Sequence, residues 1–451
     1  MSKKIIVNKF GGGILKKELI PVIVKRIKEQ VTGGFSPVVV VSAMPGITDE
    51  LVSFSVQLQD KSLLPKDANL LIKKYVQDLA DIHSKIIIDI GISKELQEKL
   101  KIELEKLFFE LEEDLQVIFS TGTRMYEDRI ASYGEKLSAT ILTYYFNLLG
   151  LPSKRLLAEE IPIITDNNFK NANIKYDQSE KNVQKKLSAI KEIPVIAGFT
   201  GITKDGKTTT LGRGGTDTTA CFIGAALRAY KVILWKDVGG VLSADPKIVP
   251  KAKVVKFISY QEAEETGKII HEKAIGFVKL FKTPIDITSL SNPKYFTEIR
   301  ELKDKKKGTK IINSKKNLSL FLITDEKIKT NEQLIIVSRA FARYKTEIIL
   351  ISNTRHSLQI VADNSNGLLD KVLEEIERTV EKVTVIPVNM IFLVGEFDVV
   401  DVNKFNDLLI KHKTGLQISA FLYENCTRLE AVIETNKIEK IIRILYKEFI
   451  K

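Results

Sequence analysis

The chain of 451 residues contains few of the side chains that usually reveal a chemistry, namely two cysteines, four histidines and one tryptophan. Cys221 and Cys426 lie far apart without metal-ligand spacing, so we expect both to be reduced, buried and without a catalytic role. The sequence favours a chemistry without an imidazole base, because its histidines are scattered at His83, His271, His356 and His412.

Long apolar runs are also missing. No stretch approaches the roughly 20 apolar residues that a membrane-spanning helix needs. The first residues lack the long apolar segment and cleavage site of a secretory signal peptide. We therefore expect a globular protein in the cytoplasm without a membrane partner.

The net charge of +12 suits nucleic acid, an acidic membrane surface or anionic small substrates. Lysines alternate with glutamates through Lys94–Glu113, as on a solvated helix face. The dense basic run Lys303–Lys307 borders Gly308 and is interpreted first as a linker. Because aromatic and basic residues do not interleave as a single-strand binding groove requires, we expect no nucleic-acid partner.

The first 300 residues alternate short apolar runs with helical patterns, which predicts βαβ units and a mostly parallel sheet. A long helical excursion is expected between about residues 66 and 150. The predicted strands cover Ile5–Val7, Val38–Val41, Val195–Ala197 and Val232–Trp235, with a helix at Asp217–Ala229 before the last of them.

After the basic linker the pattern changes to two weak copies of a ββα-type module of about 65 to 70 residues. No cluster of catalytic residue types falls in either copy. The predicted strands are Asn317–Ile323, Glu347–Ile351, Ser357–Val361, Thr384–Val394, Gln417–Leu422 and Arg428–Ile433. The predicted helices are Glu332–Tyr344, Leu368–Glu381, Asp401–His412 and one at the end of the chain.

Thr208–Ala220 combines hydroxyls, glycines, Arg213 and Asp217 in one short turn, which is equipment for holding anions. The apolar run Cys221–Leu227 follows directly, so the turn is expected to open a helix whose positive end faces the same site. A plain Thr/Gly-rich loop is the alternative.

Further turns follow predicted strands at Lys9–Gly13, Ser42–Thr48 and Trp235–Lys247. Each alone fits a surface turn as well as a ligand contact, but several at one edge of a parallel sheet indicate a ligand site. Lysines beside phosphate-type turns favour phosphoryl transfer by positioning and charge neutralisation. A carboxylate acceptor would need no general base, because a carboxyl group is already ionised at neutral pH.

The chain resembles the aspartate kinases over essentially its whole length. The residues that carry this resemblance are Lys9–Gly12, Ser42-Ala43 with Gly46–Thr48, Gly198–Gly201, Thr208–Asp217 and Trp235–Asp237. The resemblance implies an α/β fold: an open αβα sandwich amino-acid-kinase domain followed by two α+β, ferredoxin-like ACT modules. The implied boundaries are 1–300, 301–385 and 386–451. It also implies transfer of the γ-phosphoryl group of ATP to the side-chain carboxylate of L-aspartate, which begins lysine, threonine and methionine synthesis.

The resemblance also implies roles for single residues. Lys9 and Asp217 would be catalytic, with Lys9 neutralising the moving phosphoryl group and Asp217 orienting Lys9. Mg²⁺ would bridge the phosphates, held by ATP oxygens and water without a protein ligand. The substrate pocket would comprise Ser42, Thr48, Glu135, Phe199, Arg213 and Thr216. The nucleotide would be bound by Gly11, Gly12, Gly13, Lys236, Asp237, Lys247 and Lys268.

Four departures from the family pattern stand out. Gly13-Ile14 occupies the place of a usual Thr-Ser pair, and the segment Glu262–His271 is shortened. The first ACT-like module lacks the glycine expected near Thr330–Leu334, and Ile349 replaces an Asp of lysine-sensitive relatives. We therefore expect weak or no lysine inhibition, although an amino-acid effector at these modules remains a hypothesis.

Three alternatives stay open: a related kinase for glutamate, acetylglutamate, carbamate or a nucleotide, a non-catalytic amino-acid sensor, and a nucleic-acid-binding protein. The paired ACT-like modules and the combination of Arg213 with Glu135, which suits a free amino acid, favour aspartate. The resemblance further implies a homodimer or a higher homo-oligomer.

Overall fold

The computed structural model describes residues 4–60, 62–123, 125–266, 270–302, 307–325, 330–353, 357–412, 415–419, 427–434 and 437–450. The chain forms two compact units, Met1–Val241 with Val254–Lys303, and Leu242–Lys253 with Asp304–Lys451. The chain passes from the first unit to the second close to residue 300. The sequence pattern did not indicate that Leu242–Lys253 belongs to the second unit.

The first unit contains an eight-stranded sheet in the order β3-β4-β2-β1-β7-β9-β10-β8. Neighbouring strands from β3 to β9 in this order are parallel, as predicted. Strand β10 pairs antiparallel with β9, and β8 pairs parallel with β10, so these two edge strands run in the opposite direction. A small antiparallel hairpin, β5 with β6, stands apart from it. The strands are β1 (Ile5–Phe10), β2 (Ser36–Val41), β3 (Ser153–Leu156), β4 (Ile193–Ala197), β5 (Thr200–Ile202), β6 (Thr208–Thr210), β7 (Lys231–Lys236), β8 (Phe257–Ile258), β9 (Ile285–Ser289) and β10 (Phe296–Ile299).

Helices α1 to α5 pack with the sheet in one buried apolar cluster, and α7 packs against β1, β2 and β7. The expected helical excursion is present as α3 to α5. In α4 the buried residues recur three or four positions apart, from Leu100 to Ile118, and Gly122 ends the helix in a left-handed conformation. The helices are α1 (Ile20–Thr32), α2 (Ile47–Gln57), α3 (Pro65–Asp89), α4 (Lys94–Thr121), α5 (Met125–Leu148), α6 (Tyr176–Ser188), α7 (Gly215–Ala226), α8 (Tyr260–Thr266) and α9 (Glu272–Leu280).

The second unit repeats a β-α-β-β-α succession twice and joins both copies in one antiparallel six-stranded sheet, β12-β13-β11-β14-β16-β15. Its strands are β11 (Gly308–Thr324), β12 (Ile348–Asn353), β13 (Ser357–Asp363), β14 (Lys382–Glu396), β15 (Gly415–Ser419) and β16 (Arg428–Glu434). Its helices are α10 (Thr330–Arg343), α11 (Leu369–Glu377), α12 (Val399–Lys411) and α13 (Ile438–Phe449).

Strands β11 and β14 pair along nearly their whole length, with a register shift between Lys315 and Leu318. The module boundary predicted between residues 385 and 386 therefore falls inside a continuous strand. Because both long strands serve the two modules, the modules share a sheet instead of following one another as separate pieces.

The residues expected to be structural behave as such where they are described. Trp235 is buried, stacks on Phe10 and donates its indole N–H to Asn8. Cys221 is a buried free thiol, and His83 is buried in α3 beside Phe108. Cys426 and His356 lie outside the described residues, and His412 ends α12. In the described part of the chain, no helix is both long and apolar enough to cross a membrane.

Candidate active site

Three of the predicted turns lie at one edge of the large sheet. Lys9 is the penultimate residue of β1, Ser42 follows β2 directly, and Lys236 ends β7. These strands are parallel neighbours in register, so their carboxyl ends meet at the same edge, as expected.

The fourth turn reaches this edge by another route. Thr208–Thr210, interpreted from the sequence as part of a turn, forms strand β6 of the small hairpin. Residues 211–214 then turn into α7, which begins at Gly215 and not at Asp217 as predicted. Threonine is β-branched and suits a strand, so the run of three threonines was a missed strand signal.

A cavity of about 480 Å³ opens where these segments meet. It brings together all eight residues predicted to be catalytic or substrate-binding, together with Asp49 and the backbone of three glycines that the sequence analysis left out. Asp49 directly follows Thr48 in the first turn of α2, so its position beside a predicted residue was the available signal. The lining residues are Lys9, Ser42, Thr48, Asp49, Glu135, Phe199, Gly212, Arg213, Gly214, Gly215, Thr216 and Asp217.

Asp217 joins two lysines from neighbouring strands. Its Oδ1 lies 2.7 Å from Nζ of Lys9, and its Oδ2 lies 3.4 Å from Nζ of Lys236. Burial alone would raise the pKa of the Asp217 carboxyl, but the two lysine charges outweigh it and hold that pKa below its ordinary value. The carboxylate therefore stays ionised and fixes two cations at the sheet edge.

Helix α7 directs its amino-terminal end into the cavity. Its N-cap is Gly214 in the left-handed region, at φ 72°, and no side chain caps the first turn. Asp217 lies in that first turn, where the helix dipole favours a negative charge. The amide groups of such a helix start can also bind an anion.

Glu135 enters the cavity from α5, which approaches the turn after β2 closely. A Cβ atom on Gly134 would lie only 2.6 Å from Cβ of Ala43, so this contact requires glycine. Burial raises the pKa of Glu135 to about 8, although Ser42 donates to its carboxylate at 3.4 Å. The second carboxylate oxygen, Oε2, is buried without a hydrogen-bond partner among the described residues. Such an oxygen is suited to a cationic ligand.

Arg213 and Phe199 are held by backbone geometry. Phe199 adopts a positive φ of 69°, which is unusual for a side chain of its size. Its N–H donates to Thr219 and its carbonyl accepts from Leu211, two residues before Arg213. Thr216 completes this part of the cavity and donates to Ser42 at 3.4 Å.

The residues predicted to bind a nucleotide are only partly brought together. Gly11–Gly13 leads from β1 into a short 3-10 turn, where a Cβ on Gly12 would lie 3.0 Å from the carbonyl oxygen of Ala43. A Cβ on Gly13 would meet nothing within 4 Å, whereas Ile14 is buried in the core. Gly13, which stands where the aspartate kinases usually have a threonine, thus leaves open space where that side chain would lie.

Lys236 is the last residue of β7 and Asp237 follows it directly, so both lie at the same sheet edge. Lys247 lies in Leu242–Lys253, which belongs to the second unit, and Lys268 lies outside the described residues. Their predicted contacts with a nucleotide stay predictions. Among the described residues, no three His, Cys, Asp or Glu side chains come together as a metal site.

The chain is similar to known proteins over most of its length. The model of the amino acid kinase family matches residues 4–289. The aspartokinase of Rickettsia felis is 29% identical over 318 residues, which are 69% of this chain and 64% of that protein. The chain thus spans less than two thirds of the length of this relative. Chloroplastic aspartokinase 1 of Arabidopsis thaliana is 26% identical over 403 residues, 84% of this chain and 68% of that protein.

Solved structures of E. coli aspartokinase III match nearly the whole chain at 20% identity. The complex with lysine and aspartate, in the T-state, has a TM-score of 0.84 and covers 99% of this chain and 100% of its own. The complex with aspartate and ADP, in the R-state, has a TM-score of 0.78 and covers 98% and 99%. The predicted fold class, an α/β kinase domain followed by α+β modules, is confirmed, and so is the resemblance to aspartate kinases.

Proposed function

Because the chain belongs to the amino acid kinase family, we propose that it is an aspartate kinase, which transfers the γ-phosphoryl group of ATP to the side-chain carboxylate of L-aspartate. The products are ADP and 4-phospho-L-aspartate. The observation that carries this proposal is the cavity in which Lys9 and Asp217 lie beside Arg213 and Glu135.

Recognition of a free amino acid needs one group for each charge on its backbone. Arg213 can bind the α-carboxylate with two parallel hydrogen bonds, and Glu135 can accept from the α-ammonium through its free oxygen. Ser42, Thr48, Phe199 and Thr216 would line the rest of the pocket. An N-acetylated substrate has no ammonium for Glu135, so this pair favours aspartate over acetylglutamate.

Phosphoryl transfer to a carboxylate brings two anions together, and the main task is to offset their repulsion. Lys9 would stabilise charge on the transferred group, and Asp217 would hold Lys9 and Lys236 in place through the contacts at 2.7 and 3.4 Å. The first turn of α7 adds backbone N–H groups. No base is needed, since the acceptor is ionised at neutral pH.

The nucleotide would lie along Gly11–Gly13, Lys236 and Asp237, with Lys247 and Lys268 as further candidates. The three glycines have no side chains that could cover the backbone of this turn, which suits phosphate binding. Mg²⁺, held mainly by phosphate oxygens and water, would supply further charge neutralisation when bound. The E. coli complex with aspartate and ADP supports both substrates by analogy.

The wider biology is part of the same proposal. The reaction would start lysine, threonine and methionine synthesis, in the cytoplasm where ATP and free aspartate occur. A homodimer or a higher homo-oligomer is expected, and the two C-terminal modules would be the place where an amino-acid effector binds. The E. coli complex with lysine supports an effector of this class.

The test uses the full chain with ATP, Mg²⁺ and, in turn, L-aspartate, L-glutamate and N-acetyl-L-glutamate, with hydroxylamine to trap any acyl phosphate. Hydroxamate with aspartate alone supports the proposal. Hydroxamate with another acid shows a different kinase, and none with any carboxylate favours the amino-acid sensor.

Variants then assign the roles of the two central residues. Lys9→Ala and Asp217→Ala should each lower turnover by on the order of a hundredfold or more, because both act on developing charge. The matched control is Lys17→Ala, which removes a lysine paired with Asp89 on the surface. Near-normal activity in either of the first two variants would remove its role.

A further inference from the structure

The turn that carries Arg213 is held by its backbone and not by its side chain. Arg213 is exposed, and its guanidinium makes no hydrogen bond or ion pair with any residue that the structure describes. The two flanking glycines, Gly212 and Gly214, have φ angles of 75° and 72°. Those angles favour glycine. Because the guanidinium has no partner of its own among the described residues, the direction of the Arg213 side chain depends on what packs against this turn.

Gly212 packs against the loop before α6. A Cβ on Gly212 would lie 2.6 Å from Oδ1 of Asn171 and 3.1 Å from the carbonyl oxygen of Lys170. The same loop is tied to β6, because Ala172 donates its N–H to Thr210 at 2.9 Å. The position of Asn171 therefore limits where Gly212 can lie.

Gly214 packs against the start of α9. A Cβ on Gly214 would lie 2.8 Å from Cβ of His271. His271 is the N-cap of α9, and its Nδ1 accepts from the N–H of Lys273 at 3.4 Å. The turn thus lies between Asn171 on one side and His271 on the other.

Lys273 connects these two sides. Its ammonium donates to Oδ1 of Asn171 at 2.6 Å, to the carbonyl of Asn171 at 3.1 Å and to that of Ala172 at 3.3 Å. All three donors of the ammonium are used in one loop, while the backbone of Lys273 is capped by His271. Asn171, His271 and Lys273 together form a brace around the Arg213 turn.

We propose that Lys273 is a positioning residue for substrate binding: through the brace it holds the Arg213 turn where the guanidinium meets the α-carboxylate of the amino acid. The inference rests on the proposed function for the identity of the substrate. It predicts an effect on amino-acid binding and little effect on ATP, because within the described part of the chain the brace makes no hydrogen bond with Gly11–Gly13, Lys236 or Asp237.

The test compares Lys273→Met, which keeps length and loses the charge, with Lys273→Arg and with the control Lys279→Met. Lys279 lies on the same helix and pairs with Glu264 at 2.8 Å on the surface. Lys273→Met should raise KM for aspartate about tenfold, with KM for ATP and kcat changed less than twofold. Lys273→Arg should restore most of the loss, and Lys279→Met should equal wild type.

Hydrogen–deuterium exchange gives a readout that needs no activity. Amides of residues 211–215 should exchange faster in Lys273→Met than in wild type, while those of the sheet stay unchanged. Equal KM values and equal exchange would overturn the inference, as would a parallel change of both KM values and kcat with a lower Tm. If the wild-type protein does not phosphorylate aspartate, but residues 211–215 still exchange faster in Lys273→Met than in wild type, the proposed function is refuted and the role of the brace in holding the turn is supported.

Discussion

Under the proposed function, Glu135 would make aspartate binding depend on pH in a direction that the structure fixes. Burial raises the pKa of its carboxyl to about 8, so the neutral form of Glu135 predominates in the free enzyme at pH 7. The ammonium of aspartate binds the ionised form. Binding must therefore release a proton below pH 8, and affinity must rise with pH until about pH 8 and then level off.

The size of the pH effect on aspartate binding follows from the raised pKa of Glu135. Each pH unit below 8 should lower kcat/KM for aspartate about tenfold, or about 1.4 kcal/mol. Calorimetry at pH 7 in two buffers of different ionisation enthalpy should detect the release of nearly one proton per aspartate bound. Both carboxyl groups of aspartate are ionised throughout this range, so they do not contribute.

The matched variant is Glu135→Gln, which imitates the neutral acid. It should bind aspartate weakly at every pH, with no proton release and a flat profile of kcat/KM between about pH 6 and 8. The folded pKa of Glu135 lies above its ordinary value of 4.5, so its burial costs stability once pH rises above that value. Glu135→Gln should thus unfold at a higher temperature than wild type at pH 7. A pH-independent wild type, or a variant with an unchanged profile, would refute the reasoning.

Two further predictions concern the departures from the family pattern. Gly13→Thr should fold with an unchanged Tm, because a Cβ there meets nothing within 4 Å, and its hydroxyl should lower KM for ATP about threefold or more; a clearly lower Tm would contradict the open space. Lysine should inhibit weakly or not at all in an inhibition curve, because Ile349 packs against an apolar cluster where an Asp would meet an ammonium; strong, saturable inhibition would contradict this.

Much of the site could be predicted because its residues follow short, strongly apolar strands. The run Val38–Val41 places Ser42 at a strand end, and the run Val232–Trp235 does the same for Lys236. Parallel strands of one sheet end at one edge, so local patterns were enough to bring Lys9, Ser42 and Lys236 together.

Other features depend on contacts between distant segments, which no local pattern encodes. Strand β5 has three residues, too few for a period, and its pairing with β6 is set by the fold around it. The contact of Gly212 with Asn171 and the shared strands of the second unit are likewise long-range. The same holds for Leu242–Lys253, whose residues pack into the core of the second unit.

Helix α5 has a consequence for substrate choice. Asp128, near its start, is buried and accepts from the N–H of Thr210, at the end of the strand that leads to Arg213. Glu135 lies seven residues further along the same helix, about 10 Å or two turns away. Helix α5 thus carries Glu135 and, through Asp128, binds the strand that leads to Arg213. These two residues would hold the backbone end of the amino acid, so the helix would fix the position of that end relative to Lys9. Glutamate is longer by one methylene, so with its backbone end held by the same two groups its acceptor carboxylate would lie at a different point from that of aspartate. We therefore expect glutamate to be a poorer substrate because of position and not of charge.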